Sequence, residues 1–116
     1  VGGEILEYVE GVSLKTRFPL REIYNNPAGV ILGGYLSVFF DQSFGPLSYL
    51  VAKRPAVSLD LNTTFIRPVT IADGEIIIEC EVVRLGKSFI FMTAQAFNSK
   101  RKLVATATSR MAVIGD

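Results

Sequence analysis

The chain has 116 residues, of which 49% are hydrophobic and 20% charged, so it suits one globular domain and is too apolar to be disordered. Twelve basic and eleven acidic side chains leave a net charge of +1, which gives no electrostatic reason to expect a nucleic acid or an anionic membrane as partner. The sequence contains no histidine and a single cysteine. This composition excludes imidazole-dependent nucleophiles, metal sites built from histidine or clustered cysteines, and intramolecular disulfides.

In chain order, period-two alternation of apolar and polar residues predicts strands within residues 12–20, 57–65, 76–82, 88–97 and 102–114. Turn residues separate them, notably Gly11, Asp73-Gly74 and Gly86. With a further short strand before the Gly11 turn, the predicted order is two short strands, a loop, one apolar helix and four longer strands. A lone helix followed by a run of strands predicts an α+β fold, with an antiparallel β-sheet wrapped around one long central α-helix in a single domain spanning residues 1–116.

The predicted helix falls in residues 28–52, where Asp41 is the only charge. Twenty apolar residues could cross a bilayer, but Asp41 and Pro46 weigh against a membrane span and favour a helix buried in a core. Small residues and Asp41 form a stripe at helical spacing, which indicates close approach of either another helix or a ligand. This stripe comprises Gly34, Ser37, Asp41, Gly45, Ser48 and Ala52. Because a sheet covers only one side of so apolar a helix, a second subunit is expected on the other.

Residues 26–41 resemble the helix-entry motif of the hotdog-fold acyl-CoA thioesterases, and in particular their phenylacetic-acid-degradation type. That motif has an asparagine, a step of six to His-Gly-Gly and a step of nine to an aspartate; here Asn26, Gly33, Gly34 and Asp41 keep the spacing. Residues 56–68 and 73–88 are similar to the strand and hairpin that follow. Leu32 stands in place of the family's histidine. The resemblance implies a hotdog fold and acyl-CoA thioester hydrolysis.

The resemblance also implies roles for five residues. Asp41 would be the general base or the nucleophile, Asn26 would hold the water or the thioester oxygen, and Ser58 would orient Asp41 or bind the water. The backbone N–H groups of Gly33 and Gly34 would form the oxyanion site at the positive end of the helix. Structural roles remain open for each: a turn for Asn26, a tight turn for the glycines, a polar strand face for Ser58 and a buried hydrogen-bonded carboxylate for Asp41.

Substrate-binding roles are expected for Leu32 in the histidine's place, and for Arg84 and Lys87 on the phosphates of coenzyme A. No metal and no cofactor beyond the coenzyme A of the substrate is expected, and Cys80 is predicted to be an inert buried thiol. The expected assembly is at least a homodimer and more specifically a homotetramer, with composite sites between subunits. The single cysteine and the lack of a signal-peptide pattern at the start suggest a cytoplasmic location. The alternatives are a non-catalytic module that binds acyl-CoA or a related ligand, and a structural dimerisation domain.

Overall fold

The computed structural model describes residues 3–21, 29–31 and 33–114. Its elements follow the predicted order of two strands, one helix and four strands. They are β1 (Glu4–Val9), β2 (Ser13–Pro19), α1 (Gly33–Ala52), β3 (Ala56–Phe65), β4 (Glu75–Leu85), β5 (Phe89–Phe97) and β6 (Leu103–Val113), with a short 3-10 helix at Ile71–Asp73.

The six strands form one antiparallel sheet in the order β1-β2-β4-β5-β6-β3. The strand β3 follows the helix in sequence but pairs with β6, so it closes the sheet at the edge opposite β1. The helix α1 packs against one face of this sheet and contacts every strand from β2 to β6. The predicted α+β architecture, an antiparallel sheet around one long helix, is therefore confirmed.

The core lies between α1 and the inward face of the sheet. Apolar residues three and four apart on α1 bury one side of the helix: Leu36, Phe39, Phe40, Phe44 and Leu47. Alternate residues of the central strands face them, since successive side chains of a strand point to opposite faces. These include Ile76, Ile78, Cys80, Ile90 and Met92. The ring of Phe39 stacks on Phe18 of β2 with 4.6 Å between centroids.

The stripe of small residues does not form one outward face as the spacing predicted. Gly34 and Asp41 are exposed, but Ser48 is buried and donates a hydrogen bond to the Gly45 carbonyl oxygen at 2.7 Å. The outward side of α1 also carries Val38 and Tyr49, so it is largely apolar. The helix runs without interruption through Pro46.

The prediction for the faces of β3 is wrong in part. Alternation placed Val57, Leu59 and Phe65 on the core face, yet all three are exposed, whereas Leu61 is half-buried. A bulge between Ser58 and Asp60 shifts the register against β6, and β3 lies at the sheet edge, where little covers it.

The described residues include most of the apolar helical stretch that was long enough to suggest a membrane span. Within residues 3–21, 29–31 and 33–114, no helix is long and apolar enough to cross a bilayer. The helical stretch that raised the question is α1, whose bulky residues pack onto the sheet instead.

Candidate functional site

The first turn of α1 begins at Gly33, as the motif predicted. An α-helix leaves its first N–H groups without intrahelical acceptors, and these groups lie at the positive end of the helix dipole. A Cβ atom built on Gly33 would lie 2.9 Å from Cζ of Phe65, so a side chain does not fit there unless the ring moves. Among the described residues, none comes within 4 Å of the position that a Gly34 Cβ would take. The space beside Gly34 leaves the helix start open to a carbonyl oxygen among the described residues, whereas the Phe65 ring fills the space beside Gly33. The N–H groups of a helix start are donors of the kind that an oxyanion site uses.

The structure brings Asp41 and Ser58 together across the contact between α1 and β3. Ser58 Oγ donates a hydrogen bond to Asp41 Oδ1 at 3.2 Å. Asp41 is exposed, so it is not the buried carboxylate of the structural alternative, whereas Ser58 is an exposed strand residue, as its structural alternative states. The hydrogen bond fixes one carboxylate oxygen, and the other has no hydrogen bond within the described residues.

A second polar contact between α1 and β3 was not anticipated from the sequence. Ser37 Oγ donates to Thr63 Oγ1 at 3.3 Å, one helical turn before Asp41. Because Ser37 and Asp41 are four residues apart, they share a helix face, and both bond to β3. The pair of contacts fixes the rotation of α1 relative to the edge strand. The four-residue spacing in the stripe was the available signal for Ser37, whereas nothing local pointed to Thr63.

Gly33 and Asp41 do not meet within one chain. Eight residues of α-helix separate them, which corresponds to a rise of about 12 Å. A carboxylate at that distance cannot act on a carbonyl held at the helix start, because general-base chemistry needs hydrogen-bond distance, directly or through one water.

Two predicted site residues, Asn26 and Leu32, lie outside the described residues. Arg84 lies near the end of β4 and Lys87 in the turn to β5, and both are exposed. Neither forms an ion pair within the described part of the chain. They are free to contact an anion, which keeps their predicted role with phosphates as a hypothesis.

A further basic residue, Arg54, follows the C-terminus of α1. Its Nε atom is buried and has no hydrogen-bond partner among the described residues. The turn that contains Lys87 and the segment after α1 are held side by side, because Val113 N–H donates to Ser88 O and Ile114 N–H donates to Pro55 O. Positive charge therefore collects at this end of the sheet.

Cys80 is confirmed as a buried thiol. Burial raises its pKa from 9.0 to about 12, and a hydrogen bond with Ser43 opposes that shift. Ser43 is itself bonded to Thr16 Oγ1 at 2.7 Å and donates to the Phe39 carbonyl oxygen at 2.9 Å. A thiol with so high a pKa is protonated at neutral pH and is a poor nucleophile. Within the described ranges, no three acidic, histidine or cysteine side chains are grouped as metal ligands.

Comparison with known proteins identifies relatives of this chain. The sequence model of a family described as "Thioesterase superfamily" matches residues 28–105. A curated relative from mouse, acyl-coenzyme A thioesterase 13, is 29% identical over 89 residues, which cover 74% of this chain. The match spans 62% of the mouse protein's length. These findings bear out the expected resemblance to thioesterases at the level of the family.

Solved structures share the fold. A conserved protein of Pseudomonas aeruginosa, PA5202, is 27% identical with a TM-score of 0.88, covering 98% of this chain and 90% of that one. The PaaI protein from the phenylacetic acid degradation operon of E. coli is 21% identical with a TM-score of 0.88, covering 97% and 80% of the two chains. The smu.793 protein of Streptococcus mutans, solved bound to acetyl-CoA, is 21% identical with a TM-score of 0.92, covering 100% and 91%.

Proposed function

Because the chain belongs to the thioesterase superfamily, we propose that it hydrolyses an acyl-CoA thioester to a free carboxylic acid and coenzyme A. The observation that carries the proposal is the contact between Asp41 and Ser58 at the positions that the resemblance assigns to the reaction. The name of the mouse relative and the acetyl-CoA bound to the S. mutans neighbour support acyl-CoA as the ligand class.

The chemistry follows from these groups. Asp41 removes a proton from a water that attacks the thioester carbon, or attacks that carbon itself to form a mixed anhydride that water then hydrolyses. The Ser58 hydroxyl holds Oδ1 of the carboxylate, so Oδ2 can face the water. Backbone N–H groups of Gly33 and Gly34 stabilise the negative charge on the carbonyl oxygen, and the carbon–sulfur bond then breaks to release the CoA thiolate.

This assignment requires two chains, because about 12 Å of helix separates Gly33 from Asp41. The strand β3 is the longer of the two sheet edges, with ten residues against six in β1. Its one charge, Asp60, is already bound by Arg110 of β6 with 3.1 Å between Oδ2 and the guanidinium. An exposed edge of this kind pairs readily with another strand.

An antiparallel pair of β3 edges from two copies would complete the site. Pairing about the middle of β3 sets Ser58 of one copy opposite Thr63 of the other, since these two positions are equally far from the strand centre. Phe65 follows Thr63 by two residues and rests on Gly33, so the Asp41–Ser58 pair of one copy would lie about 7 Å along the strand from the helix start of its partner. This pairing of β3 edges supports the predicted homodimer but gives no support to the predicted tetramer.

The test of the activity is release of free CoA from a panel of acyl-CoAs. Asp41→Asn should lower kcat by about 10²–10⁴-fold, because the amide keeps the shape of the carboxylate but cannot take a proton. Glu81→Gln is the matched control, since Glu81 is an exposed carboxylate without an ion pair in the described residues, and it should retain the parent rate. An Asp41→Asn protein with more than a tenth of the parent rate would assign the chemistry to another group.

The test of the assembly uses the two sheet edges. Leu59→Lys on β3 should yield monomers in sedimentation velocity and abolish turnover, because a lysine blocks edge pairing. Leu6→Lys makes the same change at an exposed position of β1 and should leave both the assembly and the rate unchanged. Full activity from a parent that sediments as a monomer would contradict the composite site.

The second candidate function, binding of acyl-CoA without hydrolysis, is favoured by one observation. The chain contains no histidine, and Leu32 occupies the family's histidine position. Calorimetry that detects acyl-CoA binding by a protein that releases no CoA would establish this alternative.

A further inference from the structure

An apolar groove of about 420 Å³ opens at the first turn of α1. Buried Ile31, Leu36 and Val69 lie along it, and exposed Phe65 and Ile66 form part of its wall. Its volume is within the range of small-molecule sites, which are mostly apolar with a few polar groups. The groove reaches Gly33, so it begins where the proposed reaction places the thioester carbonyl.

The ring of Phe65 stands at that end of the groove. Three ring atoms of Phe65 lie 2.9–3.3 Å from the position that a Gly33 Cβ would take. Phe65 is nevertheless 52% exposed in the single chain, so part of its side chain can contact a ligand. A flat ring against the helix start limits the width of the groove beside the carbonyl carbon of a bound acyl group.

We propose that Phe65 determines acyl specificity by limiting the groove beside the thioester to uncharged acyl groups that are unbranched next to the carbonyl. This inference rests on the proposed function, because it takes the helix start as the carbonyl site. A branch at the carbon after the carbonyl would meet the Phe65 ring, whereas a straight chain would pass along the apolar wall toward Ile66.

The charges around the groove agree with an acyl-CoA ligand. Arg67 is the one charged residue among the described lining, is exposed and has no ion pair in that part of the chain. No carboxylate belongs to the described lining, so an anionic thioester meets no repulsion there. Away from Arg67 the described lining is apolar, so a charged acyl group along that wall would lack a partner, and burying a charge without a partner is costly.

The experiment measures binding rather than turnover, so that it stands apart from the test of hydrolysis. The ligands are CoA analogues in which a methylene replaces the thioester sulfur, which keeps the carbonyl but prevents hydrolysis. Calorimetry compares the butanoyl and 2-methylpropanoyl analogues, which have the same number of carbons and differ in width beside the carbonyl. The parent should bind the straight analogue at least about tenfold more tightly, the usual lower value for one misplaced methyl group.

Phe65→Ala should reduce this preference to about twofold or less. Phe65→Leu keeps apolar bulk but not the flat ring, so it should show an intermediate preference for the straight analogue. If Phe65→Ala fails to assemble in sedimentation, the preference of Phe65→Leu is the test of the proposal. Phe91→Ala removes an exposed phenylalanine that is not among the groove's lining residues and should keep the parent preference. A parent without preference, or a preference unchanged in both Phe65 variants, would overturn the proposal even if hydrolysis itself is observed. A parent that shows the preference but releases no CoA would remove the proposed hydrolysis and leave the acyl site standing.

Discussion

The neighbouring glycines at the start of α1 should respond to the same substitution with opposite signs. Replacing a helical glycine by alanine usually stabilises by about 0.5–1 kcal/mol, because the unfolded chain loses freedom. No described residue lies within 4 Å of a new methyl group at Gly34, so Gly34→Ala should gain that amount. At Gly33 the methyl would lie 2.9 Å from the Phe65 ring. Overpacking costs about 1–3 kcal/mol, and the half-exposed ring can move, so we expect a net loss of about 1 kcal/mol for Gly33→Ala.

The assay is denaturant and thermal unfolding at one fixed protein concentration, since association contributes to apparent stability. A difference of about 1.5–2 kcal/mol between the two variants corresponds to roughly 6–8 °C in Tm for a domain of this size. The double variant Gly33→Ala with Phe65→Ala should lose the penalty at Gly33, because the clashing ring is gone. Equal stability of Gly33→Ala and Gly34→Ala would refute the claim that Phe65 restricts Gly33, and with it the contact on which the acyl-specificity proposal depends.

Three more predictions concern the basic residues, the thiol and the motif. Arg84→Ala or Lys87→Ala should raise KM with kcat nearly unchanged in steady-state kinetics. Contacts to phosphates remote from the thioester bind the substrate and the transition state equally. A loss confined to kcat would exclude phosphate binding by these residues. Because burial raises the pKa of Cys80, the folded state keeps the thiol protonated at pH values where the unfolded chain loses the proton. The free energy of unfolding should therefore fall by about 1.4 kcal/mol per pH unit between pH 9 and 12, and the contribution of Cys80 is fully present below pH 9. Cys80→Ala should remove this slope from alkaline unfolding curves. Leu32→His should leave kcat level or raise it, and a parent that becomes active only with this change would be a binding protein.

The parts of the fold with simple periodicity were predictable from the sequence. The helix α1 and the inward faces of β2, β4 and β5 follow it directly, as Leu14, Phe18, Ile76, Ile78 and Ile90 illustrate. Each of these strands has neighbours on both sides and a helix over one face, so burial follows the pleat.

The strand β3 departs from its pattern for a physical reason. Apolar residues at Val57, Leu59 and Phe65 predict a core face, but an edge strand has no neighbour beyond it and a bulge changes its register. An edge strand that pairs with a second chain also has apolar side chains exposed in the single chain. The sequence alone does not distinguish such a strand from one whose apolar side chains are buried within its own chain.

The candidate site was predictable as a set of residues and not as a geometry. Motif spacing selected Asp41 and Gly33, and the resemblance paired Ser58 with Asp41, but local sequence carries no information that would pair Thr63 with Ser37. The hydrogen bonds Asp41–Ser58 and Ser37–Thr63 join residues 17 and 26 positions apart, and they exist because β3 pairs with β6 at the sheet edge.

The absence of histidine bears on how the proposed hydrolysis would proceed. A CoA thiolate is a good leaving group, since a thiol has a pKa near 8.5, so its departure needs little help from an acid. The harder step is to build negative charge on the carbonyl oxygen, and loss of one donor to that charge typically costs about 10²–10³ in rate. The N–H groups at Gly33 and Gly34 belong to the backbone and do not depend on the side chain at position 32. In the proposed reaction, the Asp41 carboxylate that accepts a hydrogen bond from Ser58 would supply the base. The substitution at Leu32 therefore removes a group that assists the reaction and leaves in place the two that the reaction requires.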